Sequence, residues 1–311
     1  MDAKSSALRE EIARLKKEKN ALIMAHYYQR DEIQEIADFI GDSLALARKA
    51  AETDADIIVM CGVHFMGETA KILCPDKKVL VPDLNAGCSL ADSCDPSEFE
   101  EFVKAHPGYT VISYVNTSAA VKALTDIVVT SGNARKIVES LPDDEKIIFG
   151  PDKNLGGYIN SVTGRDMLLW PGACHVHDRF SLQKIVEMKK EHPGAKILVH
   201  PECRRPLQLI ADKVGSTAAL LDFARTDDAR QYIVVTESGI LFEMSRKCPE
   251  KTFLAAPSED SECQCNECDF MKLNTLEKVA AALRDEKPEI TVDPQVAEKA
   301  IRPINRMLEL S

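Results

Sequence analysis

The sequence predicts an α/β protein: three pseudo-threefold-related α/β sandwich units, each with a parallel four-stranded sheet, around a central active site. Three observations carry this reading. Short β-branched runs alternate with amphipathic stretches of 10 to 15 residues, the pattern of buried parallel strands joined by helices. The triplets His26-Tyr27-Tyr28, Tyr114-Val115-Asn116 and His200-Pro201-Glu202, each closing an apolar run, lie 88 and then 86 residues apart. Ser43, Ser131 and Thr217 repeat with the same two offsets. Repetition about one axis brings equivalent loops together, so residues distant in sequence can share one pocket.

The elements follow one order in every unit. ALIMAHYY, TVISYVN and AKILVHPE open the units, and ADFIGDS, TDIVVTS and ADKVGST supply the second strands after a short helical stretch. DADIIVMCGV, EKIIFGPD and RQYIVVTES come third; KKVLVPDLNAGC, DMLLWPGAC and KTFLAAP come fourth. SEFEEFVKAHPG and FSLQKIVEMKKEHPG close the first two units with helices that share His-Pro-Gly, and NTLEKVAAALRDEKPE is a degenerate third closure. The boundaries are therefore 1–105, 106–192 and 193–311, the last with a C-terminal helix. Repeats of about 86 residues fall below the usual domain of roughly 100 to 150, so the units are expected to share interfaces.

Composition narrows the function classes. The formal charge of −11 and the lack of clustered Lys and Arg argue against nucleic acid. GxxxxGK[ST] and GxGxxG are both absent, which lowers the odds on P-loop and dinucleotide-dependent enzymes. The first helix, 5–20, is too charged for a signal peptide, and no apolar run approaches the ~20 residues of a membrane span. The expectation is a soluble, cytoplasmic protein without a membrane partner.

Ten cysteines in such a protein point to metal rather than disulfides. Cys61, Cys74, Cys203 and Cys248 sit in or beside apolar segments and read as small buried hydrophobes. Cys88 and Cys174 differ: both end a fourth strand, in NAGC and PGAC, 86 residues apart, with small neighbours that let backbone approach a bulky inorganic group. In the third unit Cys263, Cys265 and Cys268 occupy the corresponding loop, and Cys268 keeps register best with the closing helix. Three thiolates from three loops form a tripod. It fits a 4Fe-4S cluster with one iron free of protein thiolate, a zinc ion completed by His175 or His177, or no metal.

Ser43, Ser131 and Thr217 each precede a helical stretch. One such residue is an ordinary N-cap, but three in register would aim helix N-termini, with their free N–H groups and partial positive charge, at a polyanionic small molecule. His26, His200 and Glu202 can exchange protons, and Tyr28, Tyr114 and Asn116 can orient hydroxyl, carbonyl or imine groups. All stand at carboxyl ends of parallel strands, where α/β folds bind ligands. His106 and His192, in the His-Pro-Gly turns, read as structural.

MAHYYQRDEIQEIADFIGDSLALARKA, PDLNAGCSLADSC, SYVNTSAAVKALTDIVVTSGNA, WPGACHVHDRF, VHPEC and CNECDFMKLNTL together resemble quinolinate synthase of NAD biosynthesis over nearly the whole chain. The resemblance implies a triangle of three α/β domains with one central 4Fe-4S cluster, held by Cys88, Cys174 and Cys268. It implies condensation of iminosuccinate with dihydroxyacetone phosphate to quinolinate, phosphate and water. It also implies a substrate-binding set of His26, Ser43, Tyr114, Val115, Asn116, Ser131, His200, Pro201, Glu202 and Thr217, with Tyr28 and His177 at further active-site positions. Glu202 is the expected general base, with His26 or His200 as partner. The open iron would act as a Lewis acid on a leaving hydroxyl, and the implied protein partner is a transiently bound L-aspartate oxidase or dehydrogenase. Some relatives carry CxxCxxC where this chain has Glu262, Cys265 and Cys268, so the first cysteine of that triplet is missing. The competing readings are another 4Fe-4S hydro-lyase acting on a dicarboxylate and a non-enzymatic metal-stabilised scaffold.

Overall fold

The computed structural model of the chain describes residues 3–259 and 266–311. Strands β1 (Ala21–His26), β2 (Phe39–Gly41), β3 (Ile57–Cys61) and β4 (Lys78–Leu80) form a sheet ordered β2-β1-β3-β4. The second sheet, β5 (Thr110–Tyr114), β6 (Ile127–Val129), β7 (Ile147–Gly150) and β8 (Leu168–Leu169), is ordered β6-β5-β7-β8. The third, β9 (Lys196–Val199), β10 (Lys213–Val214), β11 (Gln231–Val235) and β12 (Thr252–Ala255), is ordered β10-β9-β11-β12. Every pairing within these sheets is parallel. The apolar runs without alternation are strands covered on both faces: all of β3, β6 and β7 is buried.

This order fixes where a site can form. From the first strand of each unit the chain steps to one side, then returns to the other for the third and fourth strands. The switch point lies between the first and third strands, whose carboxyl ends flank a crevice. The triplets stand at one side of it: His26 and Tyr114 are the last residues of β1 and β5, and His200 follows β9 directly.

The three sheets share one inner core, in which Met24 and Met60 of the first, Ile112 and Phe149 of the second and Leu198 and Val234 of the third belong to a single cluster. The outer faces are covered cyclically. Phe99 of the helix Pro96–Lys104 packs on Val111 and Ile148 of the second sheet, and Ile185 of Leu182–Glu191 packs with Ile197 and Ile233 of the third. Val279 and Leu283 of Leu276–Asp285 join Ile12 and Leu15 of Ala3–Glu18 over Ile57 and Val59 of the first sheet. Each closing helix thus covers the next sheet in the cycle, and the segment read as a degenerate closure completes the ring. The C-terminal helix Pro294–Leu310 lies on β6 and the helix Ala119–Lys122 of the second unit. No unit buries its sheet without a helix from its neighbour.

Candidate active site

One pocket lies where the three crevices meet, lined by all three units. Its walls bring together His26, Tyr28 and Ser43 of the first unit with Tyr114, Asn116 and Ser131 of the second. His200, Glu202 and Thr217 of the third complete the polar set, and His177 and the thiols Cys88, Cys174 and Cys268 line the same space. Val115 and Pro201, the middle residues of their triplets, are buried and do not line it. Cys263 and Cys265 lie outside the described residues, as does Glu262.

Glu202 is the hub of the polar wall. Tyr114 donates its hydroxyl to Oε1, and His177 Nδ1 lies 2.9 Å from Oε2. Burial opposes the Glu202 charge, but His177, His200 and the Tyr114 hydroxyl outweigh it and hold the carboxyl below its usual range. Burial pushes His200 and His26 down to about 3, against the pull of Glu202, so both rings are neutral near pH 7. Burial and the Glu202 charge raise Tyr114 and Tyr28 far above the usual phenol value. Both tyrosines are therefore hydroxyl donors. Tyr28 Oη lies 2.8 Å from Thr217 Oγ1 and 2.7 Å from Thr236 Oγ1. Asn116 Oδ1 is buried without a hydrogen-bond partner, an acceptor on the pocket wall that a ligand can satisfy. Lys122 Nζ donates to Val115 O at 2.8 Å and to Thr117 O, clamping the loop that carries Asn116.

The hydroxyl positions require a correction. Ser43 and Thr217 are the first residues of their helices, and the caps are the residues before them: Asp42 accepts from Ala45 N and Ser216 from Ala219 N. Ser131 lies in a turn ahead of Ala134–Glu139, where Asn133 Oδ1 instead accepts from Thr130 N. With the capping role filled by neighbours, the Ser43 hydroxyl is available to the pocket, and the Thr217 hydroxyl bonds Tyr28 Oη on its wall.

Each thiol stands just before a short helical turn, 89–92, 175–178 or 271–273. Burial pushes Cys88 up to about 12, Cys268 to about 11 and Cys174 well above the ordinary thiol value. Backbone N–H groups of Leu90 and Ala91, of His177, and of Phe270 and Met271 counter that rise. A cation is needed to make three such thiolates together. Around one zinc ion, sulfurs would stand about 3.8 Å apart. Among the described residues the set of three candidate donors lying mutually within 4.8 Å is Cys174, His177 and Glu202, not the three cysteines. The three thiols share the pocket but, among the described residues, do not form a one-ion donor set.

Sequence reasoning missed two buried acids that hold these loops. Asp152 Oδ1 caps the helix Lys153–Thr163 by accepting from Leu155 N at 2.7 Å, and its Oδ2 accepts from Cys174 N at 3.2 Å. Glu237 Oε1 accepts from Cys268 N at 3.0 Å and pairs with Lys272 Nζ at 2.9 Å, while Oε2 accepts from Gly239 N. Burial raises both carboxyls. Both stand two residues past a third strand, 85 apart, so the repeat arithmetic contained the signal. The small residues of PGAC also serve protein packing: a Cβ on Gly172 would lie 2.5 Å from Pro151 O and from Ser93 Oγ. One on Gly239 would meet the Tyr28 backbone at 2.8 Å, so glycine there lets the third unit approach Tyr28.

The family model of quinolinate synthetase A protein (NadA) matches residues 10–309. A quinolinate synthase of Chloroherpeton thalassium is 55% identical over 302 residues, 97% of this chain and 94% of that protein. Those of Synechococcus sp. and Nostoc sp. are each 55% identical over 300 residues, 96% of this chain and 94% and 92% of theirs.

Proposed function

The chain belongs to the quinolinate synthase family of enzymes, and on that premise we propose that it condenses iminosuccinate with dihydroxyacetone phosphate to quinolinate, phosphate and two waters. The convergence of one thiol from each unit with Glu202 in a single pocket carries this reading. The all-sulfur donor set and the N–H groups beside each sulfur fit a 4Fe-4S cluster on Cys88, Cys174 and Cys268. When bound, such a cluster supplies an iron with a free coordination position that polarises a leaving hydroxyl.

The protein's own residues handle protons and position. Glu202, held as a carboxylate, accepts a proton from carbon or nitrogen of the bound imine, a role worth roughly 10²- to 10⁴-fold in rate. Tyr114 and His177 keep it oriented and can return the proton in the dehydrations. Neutral His26 and His200 hydrogen-bond the substrate without adding charge. Ser43, Ser131 and Thr217 receive phosphate or carboxylate oxygens, and Asn116 offers its amide. Val63, Phe65 and Met66 form an apolar wall that excludes water from the imine. We further place the reaction in the cytoplasm, with an L-aspartate oxidase or dehydrogenase as transient imine donor. The eight cysteines among the described residues are free thiols, which suits a reducing compartment, and no helix among those residues is long and apolar enough to cross a membrane.

The test is an anaerobic assay of the iron- and sulfide-reconstituted protein with both substrates, read as quinolinate by chromatography. Product in stoichiometric relation to released phosphate supports the proposal. Phosphate release without quinolinate, or no turnover by protein with full cluster content, contradicts it.

A further inference from the structure

Three donors of different chemistry meet on one wall of the pocket, and they are not the three thiols. The sulfur of Cys174, a ring nitrogen of His177 and a carboxylate oxygen of Glu202 lie mutually within 4.8 Å. His177 Nδ1 is 3.3 Å from Cys174 Sγ and 2.9 Å from Glu202 Oε2. A tetrahedral zinc ion bound by one sulfur, one nitrogen and one oxygen holds those atoms about 3.3 to 3.6 Å apart. The side chains already stand near the spacing of one ion's ligand shell.

Each donor is also oriented from behind, as metal ligands are. His177 Nε2 lies 2.9 Å from Thr236 Oγ1, which turns Nδ1 toward Cys174 and Glu202. Tyr114 donates to the other oxygen of Glu202, and Asp152 accepts from the Cys174 backbone N–H. All three donors line the pocket, so a fourth position is open to water. One sulfur, one nitrogen and one oxygen with an open fourth site suit zinc better than magnesium or calcium, which prefer oxygen alone.

We propose that the chain without its cluster binds one zinc ion through Cys174, His177 and Glu202, and that this ion blocks cluster assembly by occupying Cys174. Zinc binding stands on the geometry alone; the block rests on the cluster reading given above.

The experiment uses cluster-free full-length protein titrated with zinc against a chromophoric chelator, with cobalt as a spectroscopic probe. One zinc per chain is expected. His177→Ala and Glu202→Gln should each weaken it by more than the ~10- to 100-fold that loss of an outer partner costs. Cys88→Ser and Cys268→Ser should bind zinc as the parent does, and cobalt should show charge transfer from a single thiolate. Unchanged affinity in His177→Ala, loss in Cys88→Ser, or a cobalt band of three-thiolate intensity overturns the site. Glu202→Gln, nearly isosteric, separates ligand loss from misfolding, with circular dichroism as the check on each variant. For the block, zinc-loaded protein given ferrous iron and sulfide should stay colourless until a chelator removes zinc. Full cluster assembly with zinc retained overturns that half. Failure of the cluster reading itself reads differently: the zinc-free protein would then assemble no cluster either.

Discussion

Units two and three hold their candidate ligand cysteines by a buried acid, and among the described residues no acid does the same in unit one. Asp152 follows β7 by two residues and accepts from Cys174 N; Glu237 follows β11 by two and accepts from Cys268 N. The same place after β3 is Val63, which joins Phe65 and Met66 in lining the pocket, and the nearby chain closes through His64 N to Ala86 O at 2.7 Å. The sheets repeat, but chemistry is distributed unequally around the axis. Units two and three supply Asp152, Glu237, the Glu202 hub and its partners Tyr114, His177 and His200, while unit one sets Val63, Phe65 and Met66 beside its own His26, Tyr28 and Ser43. The apolar Val63, Phe65 and Met66 beside polar groups from all three units can set an anionic substrate against a dry patch.

The largest effect expected tests what is common to all three units. Cys88→Ser, Cys174→Ser and Cys268→Ser should each lose most of the iron and sulfide bound after anaerobic reconstitution, because each thiol comes from a different unit. Full iron in Cys268→Ser alone would move the third ligand to Cys263 or Cys265. The next tests the difference. Glu237→Gln breaks a buried pair with Lys272 and should cost about 3 kcal/mol in chemical denaturation, with lower cluster yield through Cys268. Asp152→Asn must face its amide N–H₂ toward the N–H of either Leu155 or Cys174, losing the cap or the cysteine contact at about 1 kcal/mol, with lower yield through Cys174. Val63→Ala should cost roughly 2 kcal/mol by cavity formation yet leave iron content unchanged. Equal iron loss in all three would erase the contrast.

Acid should weaken the polar wall selectively. His26 and His200 resist protonation down to about pH 3 in the folded chain but take protons near 6.5 when unfolded. The unfolded state therefore binds more protons between those values, and stability falls as pH drops through that window. Glu202, held below its usual range, adds loss in the same direction beneath its unfolded value. Thermal melting of cluster-free protein from pH 7 to 4 should show the fall, flattened in His200→Asn. A flat profile in the parent would mean these rings are charged in the fold. The smallest effect separates cap from ligand contact: Asp42→Ala should cost about 1 kcal/mol, while Ser43→Ala should melt almost as the parent and bind dicarboxylates more weakly.

The strands were legible because apolar runs without alternation mean strands buried on both faces, and all twelve expected runs contain one among the described residues. The triplets and Cys88, Cys174 and Cys268 were legible because offsets of 86 to 94 residues mark equivalent loops. Hydrogen-bond partners were not. Whether Ser43 or Asp42 caps a helix depends on where the first helical dihedral falls, one residue either way. The cyclic exchange of closing helices was hidden as well, since an amphipathic stretch such as NTLEKVAAALRDEKPE shows that it has an apolar face but not which sheet receives it. Asp152 and Glu237 were visible as a spacing, but their purpose appears only when Cys174 N and Cys268 N arrive beside them.

The most direct test of the central claim, that the polar wall performs the proton chemistry while the thiols hold the cluster, is Glu202→Gln. The carboxamide keeps shape and hydrogen bonds but cannot accept a proton at neutral pH. Under anaerobic conditions the variant should show parental iron, sulfide and visible absorbance, still bind substrate, and form quinolinate at least 10²-fold more slowly. Near-parental quinolinate formation by cluster-replete Glu202→Gln would contradict the account and pass the role of base to His26, His177 or His200.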